Sequence, residues 1–126
     1  MILNYTPHSI DVFRREDVIP DTGRGFLPRH GRKPAFQIPS SGIARAASSL
    51  APDGALDGIP LVREEFGAVE GLPRPELGIW LVVSKVTVDA ARDHGRTTED
   101  LLLTTGLVRN GDGAVIGCTA LKRARA

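Results

Sequence analysis

The sequence predicts an α+β fold that is mainly β, built as a small mixed or antiparallel sheet or a partly open barrel with one or two short helices. Gly 14 and Pro 9 punctuate the 126 residues, a composition that favours short strands joined by turns. The apolar run at residues 78–83 is typical of a strand buried on both faces. The turn-forming run at residues 110–113 lies between two apolar stretches and predicts a β-hairpin.

Composition indicates one globular domain spanning residues 1–126, with 41% hydrophobic and 25% charged residues. The formal net charge of +1 gives no overall attraction to nucleic acid or to an anionic membrane. The single cysteine, Cys118, excludes an internal disulfide. No apolar run is long enough to span a bilayer. We therefore expect a cytoplasmic domain without a cofactor.

The N-terminal third predicts short strands and one basic loop. Residues 2–5 read as a strand that Pro7 ends, because proline has no amide hydrogen for a sheet ladder. A second strand is expected at residues 10–13, followed by a charged cluster that faces solvent. Residues 22–52 carry five cations and no acid. Their first half, residues 22–34, is rich in glycine and proline and predicts a basic loop.

The middle of the chain alternates predicted strands with turns. Residues 35–38 read as a strand, and residues 48–58 read as a turn region because they are rich in proline, glycine and aspartate. Residues 59–69 predict one bent strand or two. The prolines at residues 71–75 then predict a rigid, extended linker, since each fixes its own φ and restricts the residue before it.

The C-terminal half holds the best-defined elements. We place the strand at residues 78–83 at the centre of the sheet. A helix is predicted at residues 86–93, with Ser84 as its N-cap and Gly95 as its stop. A second short helix is expected through residues 101–103, and the basic terminus at residues 122–126 is expected to be frayed.

Scattered blocks over most of the chain carry a resemblance to a known family. The blocks are ILNYTPHSI at residues 2–10, PSSGIAR at 39–45, EGLP at 70–73, WLVVS at 80–84, LVR at 107–109 and GAVIG at 113–117. They resemble a family of small uncharacterised proteins of bacteriophages and actinobacteria that open with an Asn-Leu-Thr-Pro-His type segment. The resemblance implies a shared fold and a phage-related or host-defence setting, and it implies no particular activity.

The first candidate site segment follows the N-terminal strand and contains Asn4, Thr6 and His8. An amide, a hydroxyl and an imidazole within five residues can contact a ligand, and the imidazole can also transfer protons. The alternative is ordinary turn chemistry, in which these side chains bond neighbouring backbone. Both interpretations remain open from the sequence.

The second candidate segment is a glycine-flanked serine pair, Ser40 and Ser41 with Gly42, followed by Arg45. Hydroxyls and accessible amide hydrogens make anion-binding concavities, and a guanidinium suits phosphate or carboxylate. Arg109 is a candidate second cation. The alternative is a β-turn with a surface arginine, because the Gly-Lys-Ser/Thr ending of a phosphate loop is absent.

The sequence does not indicate a metal site, a catalytic triad or a reactive cysteine. The three histidines have no metal-binding spacing, so we expect no metal site. Ser40 or Ser41 could be a nucleophile with His8 as its base, but the GxSxG motif that presents the serine in many hydrolases is absent. Cys118 lies in an apolar strand and is expected to be a small buried side chain. Trp80 is expected to pack in the core, and the alternative is that its ring stacks on a base or sugar. Few aromatics and the small net charge disfavour a nucleic-acid surface.

We therefore expect a non-enzymatic protein that binds an anionic small molecule, with nucleotide-like ligands among the candidates. Asn4, Thr6 and His8 would supply neutral contacts, while the segment at residues 40–45 and Arg109 would hold the anion. Two alternatives remain. One is a hydrolase or lyase on a phosphorylated or nucleotide substrate with His8 as general acid/base. The other is a structural or interaction protein without a ligand, and in each case homo-oligomers are compatible with the sequence.

Overall fold

The computed structural model describes residues 1–124 and shows the mainly β fold that the sequence predicts. Ten strands and one α-helix, α1 (Lys85–Asp93), lie in this part of the chain, with a single 3-10 turn at Arg15–Asp17. The strands are β1 (Ile2–Asn4), β2 (Ile10–Val12), β3 (Val18–Asp21), β4 (Gly25–Pro28), β5 (Phe36–Ile38), β6 (Ser48–Leu56), β7 (Ile59–Phe66), β8 (Trp80–Val82), β9 (Leu101–Arg109) and β10 (Val115–Arg123).

The main sheet is mixed and nearly closes into a barrel. Its order is β1-β8-β9-β10-β2-β5, and β4 adds to β9 near Val108 with β3 outside it. The pairs β1–β8, β8–β9 and β2–β10 are parallel, whereas β9–β10 and β2–β5 are antiparallel. A parallel bridge between Asn4 and Ser40 links the two ends of this order. The strands β6 and β7 form a separate two-stranded ribbon.

The core lies on both faces of β8, as the apolar run predicts. Leu81 and Val83 pack on one side with Val88 and Ala91 of α1, while Val82 packs on the other side against a second cluster that includes Cys118. Alternate residues of a strand point to opposite faces. One face of β8 therefore packs against α1, and its other face packs inside the barrel.

The helix begins and ends where the sequence indicates. Ser84 is its N-cap, and its hydroxyl oxygen accepts a hydrogen bond from the Thr87 amide at 3.2 Å. Gly95 adopts a φ of 82° just after the last turn, a conformation that glycine tolerates best. The N-terminus of α1 is thereby fixed at the end of β8.

The predicted loop at residues 22–34 is wrong in its first half, because β4 lies within it and pairs with β3. The tight connection is closed by a hydrogen bond from the Arg24 amide to the Asp21 carbonyl oxygen at 2.8 Å. Pro20 and Pro28 conceal this hairpin in the sequence. Pro20 is tolerated because β3 is an edge strand, and Pro28 is the last residue of β4, beyond the Phe26–Val108 pairing with β9.

The predicted turn region at residues 48–58 is also wrong, since β6 covers most of it. Pro52 lies in this strand, and the register shifts between Pro52 and Ala55 as in a β-bulge. Only the residues at the tip form the turn, where Asp57 and Gly58 have φ values of 51° and 80°. The glycine and proline therefore mark a bulged hairpin.

Three further expectations for the C-terminal half are corrected. Residues 101–103 belong to β9 and form no helix, because a short leucine run does not distinguish the two. β8 lies second from one end of the sheet order, and β9 occupies a more central place. Lys122 and Arg123 are in β10 and Ala124 is buried. The rest of the predicted frayed end, residues 125–126, lies outside the described residues.

Candidate functional site

The turn after β1 is organised by the side chain of Asn4, which is completely buried. Its amide nitrogen donates to the carbonyl oxygens of His8 at 2.7 Å and Ile38 at 3.0 Å. Its oxygen accepts from the Thr6 amide at 2.9 Å and the Thr6 hydroxyl at 2.6 Å. These four bonds use the full capacity of the amide. Asn4 therefore shapes the turn and has no group left for a ligand.

The serine segment closes on the same turn. The hydroxyl of Ser40 donates to the Thr6 carbonyl oxygen at 2.7 Å, and the Ser41 amide donates to the Asn4 carbonyl oxygen at 2.8 Å. A Cβ added to Gly42 would lie 2.6 Å from the Tyr5 ring, so that ring covers the glycine. The two predicted segments do meet, and their polar groups largely satisfy one another.

A groove of about 430 Å³ lies beside this turn. It is reached from the carboxyl ends of β1 and β8, which point to the same edge because the two strands are parallel. Its polar lining comes from Thr6, His8, Ser9, Asp11, Ser84 and Thr104. Its apolar lining includes Ile10, Leu107 and Ile116. The size and the mixture of apolar floor and few polar groups are those of small-molecule pockets.

His8 is the candidate residue that lies most openly in the groove. It is exposed, and its ring has no hydrogen bond or ion pair to any of residues 1–124. Asp11 also lines the groove, and its carboxylate accepts from the Gln37 side-chain amide at 3.2 Å. The imidazole is thus available to a ligand, and no neighbouring side chain orients it as the base of a catalytic triad would be oriented.

Ser84 brings the N-terminus of α1 to the groove. The hydroxyl of Ser84 caps the Thr87 amide and its carbonyl oxygen accepts from Val88. No hydrogen bond within the described chain uses the amides of Lys85 or Val86. Helix N-termini carry a partial positive charge of about +0.5. This end of the groove is therefore electrostatically suited to a negative group.

The two predicted arginines lie elsewhere. The backbone of Arg45 pairs with Glu70 in both directions, at 2.9 and 2.8 Å, and the residue lines a different groove together with Glu70. The guanidinium of Arg109 donates to the Gly113 carbonyl oxygen at 2.9 Å and braces the β9–β10 hairpin. Neither lines the groove beside His8. Their predicted contact with an anion stays a prediction without support from this geometry.

Ser9, Asp11, Ser84 and Thr104 line the groove but were not among the sequence candidates. Their convergence depends on parallel pairing of β1 with β8 and of β2 with β10, strands that are far apart in the chain. The sequence identifies Ser84 as a helix N-cap. No sequence feature indicates that this cap lies against the His8 turn.

Cys118 and Trp80, the two other side chains considered from the sequence, both pack against core residues. Cys118 is buried, and burial raises the pKa of its thiol; a backbone hydrogen bond from Ala120 opposes this shift and Asp11 adds to it. Trp80 packs against the cluster around Val82, and the Arg123 guanidinium lies 5.0 Å from its ring centre. No group of three or more metal-binding side chains is found within residues 1–124.

No helix in the described chain is both long and apolar enough to cross a bilayer. Comparisons with protein-family models, with curated proteins and with solved structures found no match. The resemblance to the phage and actinobacterial family therefore stays a prediction.

Proposed function

We propose that this protein binds a small anionic molecule in the groove beside His8, with nucleotide-like ligands as the leading class. The observation that supports this most directly is the juxtaposition of an unpaired imidazole and the N-cap of α1 over an apolar floor. The negative group would lie between His8 and Ser84, where the helix dipole and an imidazole hydrogen bond favour it.

The remaining lining suits the rest of such a ligand. Ile10, Leu107 and Ile116 offer an apolar surface for a planar ring or an aliphatic body. The carboxylate of Asp11 can accept hydrogen bonds from hydroxyl or amino groups, as ribose and nucleobases present. The Asp11 carboxylate also repels any negative group that comes near it. The ligand is therefore expected to carry its charge at one end only.

Binding is favoured over the hydrolase or lyase alternative. A serine nucleophile needs a hydrogen bond to its base, but the Ser40 hydroxyl is directed to the carbonyl oxygens of Thr6 and Gly42. His8 has no orienting partner among the described residues. The absence of an orienting partner for His8 among the described residues therefore supports the binding proposal over the hydrolase or lyase alternative.

The proposal is tested by isothermal titration calorimetry with adenosine and guanosine mono-, di- and triphosphates, glucose 6-phosphate, and the two unphosphorylated nucleosides. We expect a phosphorylated compound to bind more tightly than its uncharged counterpart. His8→Ala should weaken that binding at least tenfold, and Thr104→Trp should fill the groove and abolish it. His30→Ala is the matched control, since His30 is also exposed and lies outside the groove.

Two results would overturn the proposal. One is the absence of heat from every compound with the natural protein. The other is binding that survives unchanged in both His8→Ala and Thr104→Trp, because the ligand would then occupy a different surface. Circular dichroism melting of each variant excludes loss of fold as the reason for lost binding.

A further inference from the structure

We propose that the β6–β7 ribbon docks onto a basic edge of a second copy of this chain, so that copies associate head to tail. The basic edge is the run of residues 29–36, which leads into β5 and presents Arg29, Arg32, Lys33 and Phe36. The inference concerns a surface remote from the groove and does not depend on the proposed ligand.

The ribbon exposes apolar side chains that nothing in the described chain covers. Leu50 is 68% exposed, Ile59 is 65% exposed and Val62 is 57% exposed. The two strands pair only with each other, so both outer edges carry backbone groups without a strand partner. Unpaired edges with exposed apolar residues are templates for another chain.

The body of the protein holds the ribbon mainly at its base. His94, just after α1, contacts the Phe66 carbonyl oxygen through its ring Nε2 at 3.0 Å. The Gly67 amide donates to the Ala47 carbonyl oxygen at 2.8 Å, which extends the ribbon's own pairing by one residue on each strand. An isolated two-stranded hairpin is marginally stable in water. A docking partner would supply the third strand or the apolar cover that the rest of the ribbon lacks.

The charge of the ribbon limits the partner. The ribbon carries four carboxylates and one cation. The acids are Asp53, Asp57, Glu64 and Glu65, and the cation is Arg63. Arg63 lies within ion-pair distance of Asp53 at 3.6 Å and Glu65 at 3.0 Å, and Asp57 and Glu64 have no cationic partner in the described chain. Two such ribbons would repel each other, so pairing of like ribbons is disfavoured and a basic surface is favoured.

The basic edge has complementary properties. No acid occurs between residues 22 and 34, and Lys33 has no acidic partner within residues 1–124. Within residues 1–124 the one acidic partner of Arg32 is Asp17, at 3.6 Å, and the Arg32 side chain is 62% exposed. Phe36 is 59% exposed on β5, which has a strand neighbour on one side only. The outer edge of β5 meets Asn4 at Ile38, and its start, at Phe36, has β2 as strand neighbour on one side. Cations, an exposed aromatic ring and this open start of the strand thus match the acids, apolar residues and free edges of the ribbon.

Because the ribbon and the basic edge are different surfaces of one chain, their contact is heterologous. Such contacts produce rings when the rotation closes and filaments when it does not. The opposite charges also make the association weaken as salt is added, since exposed charges are screened.

Sedimentation velocity with complementary variants tests the proposal. The ribbon variant is Ile59→Ser with Glu64→Lys, and the edge variant is Arg32→Glu with Phe36→Ser; all four side chains are exposed. The natural chain should self-associate, either as a closed ring or as assemblies that grow with concentration, and the associated fraction should fall as salt is added. Each variant alone should be monomeric. An equimolar mixture should form a heterodimer that grows no further, because each variant retains the surface that the other has lost.

Exposed charge reversals elsewhere, Glu99→Lys and Arg74→Glu, are matched controls and should associate as the natural chain does. The proposal is overturned if the natural chain stays monomeric at high concentration and low salt. It is also overturned if the edge variant alone still assembles, which would indicate ribbon-to-ribbon pairing, or if the mixture of variants stays monomeric.

Discussion

At the scale of single residues, the polar groups after β1 divide into those that build the turn and those that remain available. Asn4 and Ser40 direct their side chains to backbone groups of the same turn. His8, two residues beyond Thr6, is held at the rim by a carbonyl oxygen that Asn4 binds. The buried amide therefore supports the candidate site by positioning His8, without contacting a ligand.

Replacing Asn4 with aspartate tests this division. The side chain keeps its shape but loses both donors, so a carboxylate oxygen would face the carbonyl oxygens of His8 and Ile38. Buried polar groups left unsatisfied cost about 1–3 kcal/mol each, so the two carbonyl oxygens lead us to expect a loss of about 2–6 kcal/mol in the free energy of unfolding. Urea unfolding monitored by tryptophan fluorescence measures this loss.

Ser41→Ala is the control, because only its backbone amide has a hydrogen bond in the described chain. Equal stabilities of Asn4→Asp and the natural chain would contradict the assignment.

At the scale of elements, the groove depends on how closely β10 approaches β2. Gly117 lies in β10 and lines the groove. A Cβ at this position would come within 2.5 Å of the Asp11 carbonyl oxygen and 2.9 Å of the Phe13 ring. A side chain there would push β2, with Asp11, away from β10. The glycine is therefore needed for a close backbone approach, which is the usual reason for glycine inside a strand.

We expect Gly117→Ala to lower the free energy of unfolding by about 1–3 kcal/mol, the range seen when a packed site is overfilled. Gly111→Ala provides the matched control, because Gly111 has a negative or extended φ and no atom within 4 Å of an added Cβ. Its effect should stay within about 0.5 kcal/mol. Chemical denaturation of the two variants makes the comparison. A Gly117→Ala protein as stable as Gly111→Ala would mean that β2 relaxes freely.

The same scale shows which features the sequence could predict. The helix with its Ser84 cap, the β9–β10 hairpin and the buried strand β8 each carry a local signal, and all three are present. The second strand of the ribbon, β7, was predicted. The first, β6, was missed because Pro52 and Gly54 mark a bulge and resemble a turn. The groove was missed in part because Ser84 and Thr104 meet His8 only through parallel pairings between distant strands. Local patterns do not specify such pairings.

At the scale of the whole molecule, the chain consists of a barrel with a well-packed interior and a ribbon that projects from it. Leu101 and Val108 of β9 are fully buried, whereas every residue from 52 to 65 is exposed. Few buried contacts and solvent-exposed backbone hydrogen bonds lower the free energy of local opening. The ribbon should therefore open far more readily than the barrel.

Native-state amide hydrogen exchange at low protein concentration measures this difference. We expect the amides of Ser49 and Arg63, which lie in the hydrogen-bonded pairs of the ribbon, to exchange at least a hundredfold faster than those of Leu81 and Leu101. The ribbon amides need only local opening, whereas the other two need unfolding of the barrel. Raising the concentration should protect the ribbon and residues 29–36 together if copies associate head to tail. Ribbon amides as protected as those of β9 in the monomer would contradict the prediction, since the ribbon would then share the cooperative stability of the barrel.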